Sequence, residues 1–272
     1  MSGAAGPGIV LCDKPAGPTS HDMVARARRA LAERRIGHAG TLDPFATGLL
    51  ILLVGQATRL ARYFGALPKT YEVVAALGAV SSTGDPDGEV VETGNVPDEL
   101  VLPRGVVRQR PPAYSAVKLD GERAHVRARR GEQVVTPERE VTVHESELLW
   151  REGDRAGLRF VCSSGTYVRS LVADIGDAYC LSLRRLAIGP FEAAGGWPGE
   201  GPLALRDVAA AWACFGAVAA VDEDDGVAVR HGRPIAARGI DGPVLLVDRD
   251  GAALAVAAER DGWLRVEVGL SG

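Results

Sequence analysis

The chain has 272 residues, of which 46% are hydrophobic and 24% are charged, and its formal net charge is −4. This length and composition predict a globular protein with room for one large domain and a smaller one. The four cysteines show no paired spacing and no CxxC or HxxxH pattern occurs, which argues against a disulfide framework and a zinc site. The sequence has no signal-peptide pattern and no apolar run of the ~18–20 residues that a membrane helix needs, so we expect a cytoplasmic protein.

The first part of the chain predicts one helix followed by one strand. Thr19 or Ser20 can cap a helix over about 21–34, because apolar residues with helical spacing follow them. Residues 71–77 have the β-branched and aromatic bias of a strand, and a turn-rich stretch at 81–88 ends it.

The next part of the chain predicts a projecting insertion and then alternating elements. Residues 111–135 begin with prolines, are basic and contain few aliphatic side chains, which is typical of a segment outside the core. The elements predicted after it are strands at 141–150 and 158–162, a helix from about Thr166 with Leu171, Val172 and Ile175 buried, a loop at 195–202, an alanine-rich helix over about 205–215, and strand-like segments with Gly and Asp turns over 216–272.

Residues 37–50 place a single carboxylate, Asp43, among small, apolar and glycine residues; they read Gly-His-Ala-Gly-Thr-Leu-Asp-Pro-Phe-Ala-Thr-Gly-Leu-Leu. One interpretation is structural. An Asp followed by Pro is typical of a helix start, where the carboxylate caps free N–H groups and Pro takes the first helical position. The other interpretation is catalytic, and it depends on the whole string.

This string resembles the active-site motif of the tRNA pseudouridine synthases of the TruB family, in which the Asp of the GHAGTLDP block is the catalytic nucleophile. Phe45 departs from it, since the family more often has Leu there. Five other segments resemble the family, and they occur in the expected order. Residues 13–20 resemble the KPxGxTS segment that lies against the active-site loop, and residues 69–71 resemble the strand with the active-site tyrosine. Residues 110–118 resemble the start of the RNA-gripping insertion, residues 162–171 the segment with the active-site arginine, and residues 183–186 a segment of the pocket. On these motifs the chain is identified as a member of that family.

The resemblance implies an α/β (α+β) fold with two domains. Residues 1–214 would form the catalytic domain, with a central mixed, mainly antiparallel sheet flanked by helices and an RNA-gripping insertion at about 104–139. Residues 215–272 would form a small C-terminal β-barrel of the PUA type, a module that closes many members of the family. Its size, its position and the turn at 230–232 support that second match.

Pseudouridine formation breaks the C1′–N1 bond of uridine, turns the base and joins C1′ to C5, so we expect no cofactor and no metal. The resemblance makes Asp43 the catalytic nucleophile; it could attack C1′ or C6, or deprotonate C2′. Because an ionised carboxylate in a dry pocket is costly unless it is paired, we expect the Arg169 guanidinium to pair with it. The resemblance adds Asp85, otherwise a turn residue, to the same charge network.

Three further residues take roles from the resemblance. Tyr71 is the active-site tyrosine, whose ring can stack on the uracil and whose hydroxyl can move a proton. Leu183 lines the base pocket. A uridine inside a folded RNA loop must be extruded, and the resemblance implies that His38 fills the space it leaves.

The negative net charge conceals two basic stretches. Residues 14–69 carry nine Lys or Arg against three Asp or Glu, a local +6, and residues 104–139 carry nine against four, a local +5. A basic face attracts phosphates whatever the total charge, because exposed charges farther apart than ~8–10 Å are largely screened from one another. Within these stretches the predicted RNA contacts are Lys14, Lys118, Arg127, Arg129 and Arg130.

The expected substrate is uridine 55 in the T loop of tRNA, and the expected state is a monomer without a membrane or an obligate protein partner. One alternative is a non-catalytic tRNA-binding or folding chaperone, disfavoured by the joint presence of Asp43, Tyr71 and Arg169. The other is a guide-RNA-dependent pseudouridine synthase subunit, disfavoured by the basic insertion and by the lack of a Lys-rich tail. Two features depart from the family: the segment 177–182 is short, and His125 stands where the insertion commonly has a tyrosine.

Overall fold

The chain is mostly β-structure in the computed structural model, which describes residues 6–115, 117–119 and 121–271, apart from the side chain of residue 125. The role predicted for His125 therefore lies outside the described residues. In chain order the strands are β1 (Gly8–Lys14), β2 (Ile36–His38), β3 (Thr47–Val54), β4 (Lys69–Leu77), β5 (Ala79–Ser81), β6 (Val90–Glu92), β7 (Gly105–Gln109), β8 (Lys118–Leu119), β9 (Glu122–Arg123), β10 (Arg139–Glu152), β11 (Arg155–Cys162), β12 (Ala178–Ile188), β13 (Phe191–Glu192), β14 (Val218–Ala220), β15 (Ile235–Ala236), β16 (Pro243–Val247), β17 (Ala253–Arg260) and β18 (Trp263–Gly269).

The helices are short, and α1 begins where the sequence predicts. Thr19 is its N-cap: the Thr19 hydroxyl accepts from the backbone N–H of Asp22, and the Asp22 carboxylate accepts from the backbone N–H of Thr19. In the described part of the chain, no helix has both the length and the apolar character needed to span a membrane. The helices are α1 (Ser20–Leu31), α2 (Ala61–Ala66), α3 (Ala124–Arg129), α4 (Val168–Ala173), α5 (Val208–Trp212) and α6 (Glu223–Arg230), with a 3-10 helix over Gly55–Leu60.

The chain divides by packing into two compact units, and it enters each of them more than once. The second unit comprises Pro44–Gly48 and Leu67–Gly189. The first unit takes in the described residues of Met1–Asp43, Leu49–Ala66 and Pro190–Gly272. The domain boundary expected between residues 214 and 215 stays a prediction.

The second unit is built on a largely antiparallel sheet in the order β12, β4, β11, β10, β7. The first residues of β3, Thr47 and Gly48, add a parallel pairing to β12 at Arg184 and Arg185. Every second residue of β4 is buried, from Lys69 to Leu77, as expected of a strand with one face against a core. The predicted central sheet, mixed and mainly antiparallel, is confirmed.

In the first unit, β3 is the central strand and pairs with β1 and β2. Residues 49–54 of β3 are fully buried, because apolar side chains on both of its faces meet other elements. One core cluster unites β1, α1, β2 and β3 with the loop that follows β13; its members are Val10, Cys12, Met23, Val24, Ala27, Ile36, Leu50, Leu52, Val54 and Trp197.

The C-terminal part of the first unit forms a separate sheet in the order β14, β16, β17, β18, β15 among the described residues. Its pairs are antiparallel apart from β14 with β16, which is parallel. The sheet curls into a half-barrel with α6 packed on it and has its own core, which is consistent with the predicted PUA-like module.

This C-terminal sheet is tied to the 3-10 helix and α2 of the same unit. Arg59 donates from Nη1 to the carbonyl of Gly269 over 2.7 Å, and Arg62 and Tyr63 each lie 3.2 Å from Oε2 of Glu267. A cluster of aromatic rings lies beside these bonds, comprising Tyr63, Phe64, Phe191, Trp212 and Phe215.

The predicted elements are largely confirmed, with four differences. The helix predicted from about Thr166 is α4, which ends at Ala173, so Ile175 lies beyond the helix and is only half-buried. The short segment 177–182 forms the beginning of β12. The alanine-rich helix is restricted to α5, because Asp207 caps it and accepts from the N–H of Ala210. Helix α6, where strands were predicted, begins at the N-cap Asp222, and its weak apolar periodicity concealed it.

Candidate active site

Asp43 lies in a bend between β2 and β3, not at the start of a helix. Its side chain is half-buried, and the chain from Pro44 to Ala46 is irregular before β3 begins at Thr47. The structural interpretation of Asp43-Pro44 is therefore wrong. The apolar run after the bend pairs as a buried strand, and this tertiary pairing outweighs the local preference for a helix start.

Ser20 holds the backbone next to Asp43. Its hydroxyl donates to the carbonyl of Leu42 over 3.1 Å and accepts from the N–H of Leu42 over 2.9 Å. Both residues are buried. The 13–20 segment therefore lies against the loop that carries Asp43, as the resemblance implied, and the chain just before the carboxylate is fixed by two hydrogen bonds.

Gly48, in the same motif, is required by close backbone packing. Its φ is +103°, and a Cβ added to it would lie 2.2 Å from the carbonyl oxygen of Arg185 on β12. A larger residue at this position would separate β3 from β12 at the point where the motif enters the sheet.

Arg169 and Asp85 form a buried ion pair in the second unit. Arg169 Nη1 lies 3.0 Å from Asp85 Oδ2, and the two side chains are 3% and 7% exposed. Arg169 also donates from Nη1 to the carbonyl of Thr83 over 2.6 Å, and from Nη2 to the carbonyl of Tyr114 over 2.9 Å. These bonds determine the direction in which the guanidinium points.

Asp85 is held in turn by its own loop. Its Oδ1 accepts from the hydroxyl of Thr83 over 2.5 Å and from the N–H of Asp87 over 3.1 Å, so each carboxylate oxygen has a donor. Gly84 has a φ of +74°, which lets the loop turn tightly beside the Arg169 side chain. The structure thus brings together the two residues that the sequence linked by resemblance.

Tyr71 and Leu183 lie on the same buried face of the sheet. Tyr71 on β4 is paired with Phe160 of β11 and Arg185 of β12, and Leu183 lies opposite Val73, two residues further along β4. Residues that face one another across antiparallel strands point to the same side. The tyrosine and the leucine therefore share one surface, as a base pocket would require.

Lys69 shares that face and was not singled out by the sequence. It is buried, and its amine donates to the carbonyl of Leu67 over 2.5 Å. Burial, and then the neighbouring charge of Arg185, lower the pKa of Lys69 to about 8. Its cross-strand neighbour Cys162 is also buried, and that burial raises the pKa of the thiol to about 11.

His38 and Lys14 lie in the first unit. His38, at the end of β2, packs edge-to-face against the His21 ring with centroids 5.4 Å apart. Lys14 is fully buried, and its amine donates to the carbonyls of Pro15 over 2.8 Å and Pro18 over 2.9 Å. These bonds give Lys14 a role in shaping its own loop; its contact with substrate stays a prediction.

The insertion carries its cations partly paired with its own acids. Lys118 and Arg129 are exposed. Arg127 and Arg130 both bond Glu132, with Nε to carboxylate distances of 2.7 and 2.9 Å. The Arg127 hydrogen bond is the largest cause of a pKa of Glu132 below its usual range. Ion pairs between exposed side chains are weak, so a phosphate can compete for these cations.

Two features of the site had no sequence signal strong enough to assign a function. Ser20 and Gln109 each bind backbone atoms of a distant loop, and a single hydroxyl or amide has no periodicity that indicates its partner. Within the described residues, no group of three His, Cys, Asp or Glu side chains is arranged to hold a metal ion.

Comparison with known proteins gives a consistent match. The model of the TruB family pseudouridylate synthases (N-terminal domain) matches residues 28–168. The tRNA pseudouridine synthase B of Thermobifida fusca is 42% identical over 279 residues, covering 94% of this chain and 95% of its own. That of Mycobacterium leprae is 39% identical over 277 residues, covering 92% and 87%.

The fold also resembles solved structures. A chain of an H/ACA ribonucleoprotein bound to a substrate RNA containing 2′-deoxyuridine superposes with a TM-score of 0.69 at 22% identity, covering 97% of this chain and 85% of its own. A chain of a Cbf5-Nop10-Gar1 complex gives a TM-score of 0.67 at 24% identity, covering 96% and 83%. At these identities the likeness concerns the fold.

Proposed function

This chain belongs to the TruB family of pseudouridylate synthases, and we propose that it is a tRNA pseudouridine synthase, an isomerase acting on uridine 55 of the T loop. The relatives that it matches over nearly its whole length are named tRNA pseudouridine synthase B. The choice of uridine 55 rests on the motifs around Asp43.

The buried Arg169–Asp85 pair is the observation that carries the proposal. A guanidinium held out of water by one carboxylate and two carbonyls is an expensive feature for a fold to retain, since desolvating charges costs free energy. The burial of this guanidinium is explained if Arg169 also binds a second carboxylate during the reaction. We assign that carboxylate to Asp43, which Arg169 would keep ionised and oriented.

Asp43 is then the nucleophile of the isomerisation. The C1′–N1 bond breaks, the detached uracil turns, and C1′ joins C5, so that the product has the same atoms as the substrate. The carboxylate acts on C1′ or C6, or removes the C2′ proton while the base is detached. No electron acceptor and no transferred group are needed, which is why this chemistry requires no cofactor.

Tyr71 and Leu183 would form the wall that holds the turning base. The tyrosine ring is suited to stack on the uracil, and its hydroxyl can take up or release a proton as C5 loses its hydrogen and N1 gains one. The shared face of β4 and β12 supports this role.

RNA would be bound by three parts of the chain. His38 would occupy the space of the extruded uridine, and the insertion at about 104–139 would contact the backbone through Lys118, Arg127, Arg129 and Arg130. The module at 215–272, beyond a catalytic domain of 1–214, would add affinity. We further propose a cytoplasmic monomer.

The two alternatives are less well supported. Similarity to guide-dependent ribonucleoprotein chains is 22–24% and concerns the fold, whereas the tRNA-specific relatives are 39–42% identical. A chaperone without catalysis would have no need for the buried pair at Arg169.

The deciding experiment supplies purified protein with an unmodified tRNA transcript and no guide RNA, and maps pseudouridine by chemical probing. We expect one pseudouridine per tRNA, at position 55, and none in a transcript with cytidine at that position. Modification only after a guide RNA is added, or modification elsewhere, would contradict the proposal.

A further inference from the structure

The insertion leaves the sheet between two residues that face each other. β7 ends at Gln109 and β10 begins at Arg139, and these two are partners in the antiparallel pairing of the strands. Residues 110–138 project from this pair, which we call the base of the insertion. If the projecting residues move, the movement reaches the rest of the second unit through the base of the insertion and through the contacts around that base.

Both residues of the base hold the turn that precedes α4. Gln109 is 2% exposed; its Oε1 accepts from the N–H of Tyr167 over 2.7 Å, and its Nε2 donates to the Tyr167 carbonyl over 3.4 Å. Arg139 donates to the carbonyl of Gly165, and its guanidinium lies 4.8 Å from the centre of the Tyr167 ring. Tyr167 is the N-cap of α4, so these contacts determine where the helix begins.

Helix α4 depends on such outside contacts. It has six residues, its N-cap makes no side-chain hydrogen bond, and a helix this short is not stable by itself. Two more bonds join it to the insertion: Ser170 Oγ donates to the carbonyl of Arg110 over 3.0 Å, and Arg169 Nη2 donates to that of Tyr114. Arg169 is the second residue of α4, two positions after the backbone that Gln109 binds.

We propose that Gln109 is a positioning residue for Arg169. By binding both backbone groups of Tyr167, it fixes the start of α4 and couples the placement of the RNA-gripping insertion to the direction of the Arg169 guanidinium. RNA bound to the insertion would then hold Arg169 in its working orientation. This inference rests on the proposed function, because it assigns Gln109 a part in the same reaction.

The test compares two variants that each remove a buried hydrogen bond of the insertion. Gln109→Met keeps the length of the side chain but loses both bonds to Tyr167. Thr136→Val is the control: Thr136 is buried, and its hydroxyl donates to the carbonyl of Pro111, so the lost bond joins two residues of the insertion and has no atom of α4 as a partner. Loss of these buried hydrogen bonds should lower the melting temperature of both variants, so loss of stability by itself is common to the two.

The rates should separate the two variants. At saturating tRNA, Gln109→Met should lower the single-turnover rate at least about tenfold with affinity within about threefold, because a 1 Å misplacement of a reacting group costs up to ~100-fold. Thr136→Val should stay within about twofold of the wild-type rate. If the two variants have the same single-turnover rate, whether or not it is below that of wild type, Gln109 only stabilises the fold.

A double-mutant cycle tests whether Gln109 acts through Arg169. In an Arg169→Lys background, Gln109→Met should add less than about a twofold loss, because the group that it positions is already gone. The same loss in both backgrounds would overturn the inference. If Gln109→Met does not fold, Gln109→Glu, which keeps an oxygen to accept from Tyr167, goes through the same cycle. A wild-type protein that forms no pseudouridine would instead contradict the proposed function.

Discussion

Arg169 and Asp85, 84 residues apart in the chain, form a buried pair in which Nη1 of the arginine lies 3.0 Å from Oδ2 of the aspartate. The remaining oxygen of Asp85 accepts from the loop that carries it, and Arg169 also binds two carbonyls. Because both side chains are almost fully buried, removing either one would leave the other as an unpaired charge inside the protein, which is costly. The pair is therefore the fixed part of the proposed charge network, and it can orient a further carboxylate.

Arg169→Lys should lose most of the activity. An ammonium group cannot donate in fixed directions to Thr83, Asp85 and Tyr114 as the planar guanidinium does. The measurement is the single-turnover rate at saturating tRNA, with Arg159→Lys as the control, since Arg159 is a surface residue of β11 paired with Glu72. A rate within about threefold of wild type, a change of about 0.7 kcal/mol in the barrier, would refute the role given to Arg169.

Asp43→Asn should abolish turnover and leave tRNA affinity nearly unchanged. The amide keeps the shape of the side chain in its bend but can act neither as a nucleophile nor as a base. Affinity is measured by filter binding and product by mapping of pseudouridine. Pseudouridine formation above the level explained by trace wild-type enzyme would remove Asp43 from the mechanism.

Changing Arg127, Arg129 and Arg130 to Glu should flatten the salt dependence of tRNA binding and raise KM, with little change in kcat. Each phosphate contact contributes a log–log slope of roughly −0.7 for single strands and −0.9 for duplex. Residues distant from the reacting atoms bind the substrate and the transition state equally well, so their loss raises KM and leaves kcat nearly unchanged. Glu132→Gln should have the opposite effect, because it removes the negative charge that Arg127 and Arg130 share, although Arg130 keeps its ion pair with Glu122. Identical slopes for all three proteins would mean that these arginines face solvent in the complex.

Deletion of residues 216–272 should weaken tRNA binding but leave slow, correctly placed modification, since every proposed catalytic residue precedes this segment. The deletion also removes Glu267 and Gly269, the partners of Arg59, Arg62 and Tyr63, so we expect a lower melting temperature. Activity is measured at saturating tRNA. A folded, soluble truncation that forms no pseudouridine would show that the module helps to build the active site.

Lys69 should make the stability of the fold depend on pH above 8. Its pKa is lowered to about 8 in the folded protein from 10.5, so burying the charged form opposes folding fully below pH 8. That penalty is relieved as the pH rises through 8, by at most about 1.4 kcal/mol per pH unit.

The check is the free energy of unfolding in urea at pH 7, 8 and 9 for wild type and Lys69→Met. The difference between them should shift in favour of wild type as the pH rises. Lys118→Met, at an exposed position, should show no such trend. Measurements end at pH 9 because the buried thiols of Cys12 and Cys162, with pKa values raised to about 12 and 11, begin to act in the opposite direction above it.

Much of the fold could be predicted because its signals are local. The capping box at Thr19 and Asp22 indicates the start of α1, and the alternation of Leu158, Phe160 and Cys162 indicates a strand with one buried face. The same locality explains one error and one rejected alternative. Helix α6 was missed because it has too little apolar periodicity to be distinguished from strands, and Asp43-Pro44 has the local pattern of a helix start, which the pairing of β3 overrides.

The sequence by itself determined the family and the identity of the candidate catalytic residues, because both are carried by contiguous motifs. Only the tertiary structure decided which groups those residues contact. Ser20 binds Leu42 across 22 residues, Gln109 binds Tyr167 across 58, and Arg169 binds Asp85 across 84. A hydrogen bond requires its two atoms to meet within about 3 Å and in a particular direction. That geometry is produced by the packing of whole strands and helices, and no local pattern of residues encodes it.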